Sequence, residues 1–103
     1  MNELFEAAKE GGIECMAALL DAGANINAKD KTGESALLNA VVFGTNEGLI
    51  FLLSKGAEPN IAMNDGTTGL MLAAIHGYNR TAEILLNAGA NIDAQDHQGQ
   101  TSL

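Results

Sequence analysis

The sequence predicts an all-α solenoid, built from stacked antiparallel helix pairs joined by β-turn or hairpin fingers. Three observations carry this prediction. Gly23, Gly56 and Gly89 recur every 33 residues, and two further glycine ladders, Gly11/Gly44/Gly77 and Gly33/Gly66/Gly99, run in phase with them. The segment Leu19-Leu20-Asp21-Ala22-Gly23-Ala24-Asn25-Ile26-Asn27-Ala28 returns as Leu52-Leu53-Ser54-Lys55-Gly56-Ala57-Glu58-Pro59-Asn60-Ile61, and again as Leu85-Leu86-Asn87-Ala88-Gly89-Ala90-Asn91-Ile92-Asp93-Ala94. Each period holds two short apolar-periodic stretches divided by a glycine. A fixed period of this length means stacked supersecondary units, none of which buries its apolar face alone.

The first unit, about 1–30, opens on a helix from Glu3 to Glu10. Glu3 and Glu6 lie in its first turn, where the helix dipole favours negative charge. Leu4, Ala7 and Ala8 share one face at helical spacing, while Glu6, Lys9 and Glu10 face water. Gly11-Gly12 stop the helix, because glycine takes the left-handed conformation of a tight return. The return helix, Ile13 to about Asp21, is expected to bury Cys15, Met16, Leu19 and Leu20.

In the second unit, about 31–63, Ser35 is placed to cap a helix that runs to Phe43 and stops at Gly44. Asn46 is expected to cap the return helix, with Leu49, Phe51, Leu52 and Leu53 inward. Gly48 weakens that helix by about 1 kcal/mol relative to alanine. The third unit, about 64–96, repeats the plan with a Thr68 cap, a helix to His76, a stop at Gly77 and an Asn79 cap. Ile84, Leu85 and Leu86 are its expected inward residues. Between helix pairs, 25–33, 58–66 and 91–99 are rich in Asx and glycine and read as turn pairs projecting like fingers. Residues 97–103 begin a fourth unit. Because that unit is broken off, the chain is expected to be a piece of a longer array, with a natural stop as the alternative.

The pattern resembles the ankyrin repeat, whose 33-residue period carries a Thr-Pro-Leu-His-x-Ala signature. That signature stands here as Ser35-Ala36-Leu37-Leu38-Asn39-Ala40 and Thr68-Gly69-Leu70-Met71-Leu72-Ala73, and Thr101-Ser102-Leu103 starts it again. The resemblance spans essentially the whole chain as one domain, 1–103, although neither repeat keeps the signature's Pro or His. It implies a non-catalytic module that binds another protein through a concave face of first helices and fingertips. Carried over by position, the partner-binding residues are Lys31, Thr32, Glu34, Val42 and Phe43 in one unit and Asn64, Asp65, Thr67, Ile75 and His76 in the next. His97, Gln98 and Gln100 extend the fingertip set, and Lys9 and Glu10 are the matching helix positions of unit one. With Leu38 and Met71 at the signature's His position, this side is expected to be apolar in units two and three, with Tyr78 at its edge. A structural spacer within a longer multidomain protein is the alternative reading.

Composition narrows the remaining classes. The chain has 103 residues, 13 Asp and Glu against 5 Lys and Arg, a formal net charge of −8 and four aromatics, none of them Trp. With an isoelectric point near 4.4, binding to a phosphate backbone is disfavoured, so no nucleic-acid partner is expected. The single cysteine allows no internal disulfide and agrees with a reducing compartment. The N-terminus lacks a signal-peptide pattern, and no apolar run reaches the roughly 18 residues of a membrane span. A cytoplasmic monomer without a membrane role is expected, with a secreted effector as the other setting. His76 and His97 have no second ligand at metal spacing, and Ser35, Thr68 and Thr101 are explained as caps, so neither a cofactor, a metal nor an enzyme is expected.

Overall fold

The computed structural model describes residues 3–92. The elements are α1 (Glu3–Glu10), α2 (Ile13–Asp21), α3 (Ala36–Val42), α4 (Asn46–Ser54), α5 (Gly69–His76) and α6 (Asn79–Asn87). They form three antiparallel pairs, α1–α2, α3–α4 and α5–α6. The first helices stack in one row, α1 on α3 on α5, and the return helices in another, α2 on α4 on α6. None exceeds nine residues. Helices this short are marginal alone in water, so burial between units holds them rather than propensity. The chain begun at Thr101 lies outside the described residues.

The 33-residue register becomes the core. Leu4, Leu37 and Leu70 are buried at equivalent positions of the first row, and Leu52 and Leu85 are fully buried in the second. Leu19 holds the same register as Leu52 and Leu85 but is only half-buried. Leu19 lies in the first described unit, which among the described residues has a neighbour on one side only. The same geometry corrects the expectation for Cys15, which is exposed. Its register partners Gly48 and Thr81 are buried against a preceding unit. A Cβ on Gly48 would meet Met16 and the Ala8 carbonyl, and the Thr81 hydroxyl donates to Asn46 Oδ1.

The caps follow a similar division. Ser35 and Thr68 cap α3 and α5 as expected, each hydroxyl accepting from a backbone N–H three residues on, at 3.3 Å. Asn46 and Asn79 are not caps: they are the first residues of α4 and α6, and the cap residues Thr45 and Tyr78 make no side-chain capping bond. The turn from first to second helix is tighter than the capping pattern assumed. Asn46 N–H donates to the Gly44 carbonyl and Asn79 N–H to the Gly77 carbonyl, both at 3.1 Å. Leu86 also departs from expectation. It is 41% exposed, because Ile84 and Leu85 already occupy the inward face of this single-sided helix.

The fingers are turns held by hydrogen bonds rather than by long strands. Among the described residues, one isolated antiparallel bridge pairs Ala62 with Thr68. Asparagines in register tie successive units together: the Glu58 N–H donates to Asn27 Oδ1 at 2.9 Å, and the Asn91 N–H donates to Asn60 Oδ1 at 2.6 Å. Successive fingers are thereby linked along the stack.

Candidate partner-binding surface

The first finger is organised around Asp30. Its Oδ1 accepts from the Thr32 hydroxyl at 2.7 Å and from the Thr32 and Glu34 N–H groups, each at 2.9 Å. Donation from the Thr32 hydroxyl, then from the Glu34 N–H, holds the Asp30 carboxyl below its ordinary range. The Asp30 N–H in turn donates to the Glu34 carbonyl at 2.9 Å. In the second finger Met63 stands at the register position of Asp30, and Asp65 takes over part of the role by accepting from the Thr67 N–H at 2.9 Å.

The two fingers touch. The Asn64 N–H donates to the Thr32 carbonyl at 3.1 Å, and the Asn64 side-chain amide donates to the Lys31 carbonyl. Gly33 makes this approach possible, since a Cβ there would run into the Asn64 backbone nitrogen. Asn64 thus spends its side chain on the neighbouring finger. Lys31 and Thr32 are exposed, as are Asn64 and Asp65, while Glu34 and Thr67 are half-buried at the bases of their turns.

On the helix row, Val42 is half-buried, Phe43 is 52% exposed and Ile75 is 72% exposed. His76 is exposed and stacks on Tyr78, with ring centroids 5.2 Å apart. The equivalent positions of unit one are the exposed Lys9 and Glu10. Leu38 and Met71 do not add to this surface, contrary to expectation. They are almost fully buried, Leu38 within the hydrophobic core.

Two features were not anticipated from the sequence. The Lys9 Nζ lies over the Phe43 ring, 5.0 Å from its centroid, a cation–π contact that joins units one and two. Beside it an open hollow of about 340 Å³ runs between the helix-to-helix turns of units two and three, lined by Phe43, Gly44, Asn46, Tyr78, Asn79, Arg80 and Thr81. The Tyr78 ring lies against Gly44, whose Cβ position is in ordinary contact distance of it at 3.5 Å. The shared register of Thr45 with Tyr78, and of Lys9 with Val42, was the available signal for both. Among the described residues no group of three His, Cys, Asp or Glu side chains is placed to hold a metal, and no helix is long and apolar enough to cross a membrane.

Helix pairs in register, interlocked fingers and a row of exposed first-helix side chains define a helical-repeat solenoid. A family model for ankyrin repeats, in three copies, matches residues 4–101. The chain belongs to the ankyrin repeat family. Ankyrin repeats are generally protein–protein interaction modules, and the family is typically non-catalytic. Comparison with curated proteins gives no match.

Proposed function

We propose that this chain is a non-catalytic module that binds another protein through its concave face, with Phe43 and Ile75 as anchors and Lys31, Thr32, Glu34, Val42, Asp65, Thr67 and His76 around them. The observation that carries the reading is the exposure of two large apolar side chains, Phe43 at 52% and Ile75 at 72%, on neighbouring first helices. The stack gains little from leaving them in water, and where exposed apolar side chains form one patch they mark interaction sites, with aromatic residues favoured as anchors. The protein is proposed to act as a monomer in the reducing interior of a cell, where its exposed Cys15 remains a thiol.

Phe43→Asp tests the reading. The new carboxylate is half in water and next to Lys9, so helicity by circular dichroism should be unchanged and stability should fall by less than about 1 kcal/mol. A protein retained by the wild-type chain should lose affinity by about 2 kcal/mol or more, roughly 30-fold. Unfolding of the variant would make Phe43 part of the core, and unchanged capture would move the binding site off this face. If neither the wild type nor the variant retains a partner, the structural-spacer reading stands instead.

A further inference from the structure

The chemistry around Phe43 narrows the kind of partner. We infer that the bound segment carries an arginine or lysine that stacks on the Phe43 ring in the place Lys9 now occupies, followed by a large apolar residue on Ile75. The inference rests on the Phe43–Ile75 face being the binding site.

Lys9 demonstrates that the exposed face of the Phe43 ring accepts a cation, at 5.0 Å from the centroid. Its own hold is weak. Both groups are exposed, Lys9 forms no salt bridge among the described residues, and exposed contacts of this type are weak. A guanidinium is less strongly hydrated than an ammonium and stacks flat on a ring, so a partner arginine can displace it.

The surroundings favour that exchange. Glu6 and Glu10 lie within one turn of Lys9 on α1 and are exposed, while Arg80 lines the hollow on the other side of Phe43. The net charge of −8 adds long-range attraction for a basic segment and repulsion for an acidic one. The character then changes along the stack. Unit one offers Glu6, Lys9 and Glu10, whereas unit three offers Leu72, Ile75 and His76 at the same three positions. Neighbouring packed helices are about 8–10 Å apart. An extended segment advances about 3.3 Å per residue and turns alternate side chains to the same face, so a cation and an apolar anchor reaching one surface belong about two or four residues apart.

A random dodecapeptide library selected on the immobilised full chain tests this, with the enriched peptides then measured against variants whose fold is checked by circular dichroism. The expected result is enrichment of Arg or Lys followed about two or four residues later by a large apolar residue. Binding should weaken at least threefold in Phe43→Leu, which keeps an apolar side chain but loses the ring. It should strengthen in Lys9→Ala, which removes the competing cation. Weaker binding in Lys9→Ala would mean that Lys9 pairs with an acidic partner, and that result overturns the inference. So would acidic or uncharged enriched peptides, no enrichment at all, or a dimer of the chain that Phe43→Asp abolishes. Peptides that bind wild type and Phe43→Asp equally would instead overturn the assignment of the face itself.

Discussion

Gly33 is where the fingers can be tested most sharply. Its φ is +89°, and an added Cβ would press on the Asn64 backbone nitrogen, with Asn64 Oδ1 at 2.7 Å and the Met63 carbonyl carbon at 2.9 Å. Real Cβ atoms essentially never come within 3.0 Å of such neighbours. Gly33→Ala therefore carries two costs. An L-residue in the left-handed region costs about 1–2 kcal/mol. Relieving the clash means moving the second finger away and weakening the two bonds from Asn64 to the Thr32 and Lys31 carbonyls, each contributing about 0.5–1.5 kcal/mol. The sum is about 2–4 kcal/mol, a large share of the roughly 5–15 kcal/mol available to a chain of this size. Gly23→Ala and Gly56→Ala are internal controls. Their φ values, +100° and +93°, are comparable, but nothing lies within 4 Å of either Cβ position. They should lose only the backbone share, about 1–2 kcal/mol. Urea unfolding of the three variants in parallel gives the comparison directly through the midpoints at unchanged slope. A Gly33→Ala variant within about 0.5 kcal/mol of Gly56→Ala would refute the claim that the fingers lock through this contact.

Two further outcomes follow from the same structure. Gly48 lies inside α4 with ordinary helical dihedrals, and its Cβ position has neighbours only at 3.4–3.5 Å, so Gly48→Ala should raise stability by about 0.5–1 kcal/mol in the same urea assay; a loss would mean that the α2–α4 packing is tighter than these distances imply. The Asp30 carboxyl, lowered in the folded state by the Thr32 hydroxyl and the Glu34 N–H, contributes stability that is present at neutral pH and is lost as pH falls through and below the ordinary Asp range near about 3.9. Asp30→Asn should therefore be less stable than wild type at pH 7, with the gap closing on acidification between about pH 5 and pH 2; a gap that stays constant would separate this carboxylate from the finger's stability.

Much of this architecture is written in single positions of the sequence. The glycine ladders place the turns because a positive φ is a property of the residue itself, and Gly11, Gly23, Gly33, Gly44, Gly56, Gly66, Gly77 and Gly89 all adopt it. Ser35 and Thr68 cap because a short hydroxyl side chain reaches its own helix's N–H groups without help from any other unit. The recurrence of Leu37 with Leu70 and of Leu52 with Leu85 was enough to place the inner faces, since period and helical spacing together determine which residues stack. Lys31, Thr32, Phe43 and Ile75 were likewise recognisable as exposed, because they sit at a fingertip and at the ends of first helices.

What only the tertiary structure decided depends on which side of each unit meets a neighbour. Cys15 and Gly48 share a register position, yet one is exposed and the other buried, because burial at that position is supplied by the preceding unit and not by the residue. Leu38 and Met71 looked like part of the apolar binding side and are instead buried. Asn46 has a capping residue's chemistry but accepts the Thr81 hydroxyl of the next unit, and Asn64 spends its amide on the first finger. The Lys9 cation over Phe43 joins residues 34 positions apart that no local pattern connects. A side chain's conformational preference is local and travels with the sequence; its partners are set by stacking, which exists only once the units have come together.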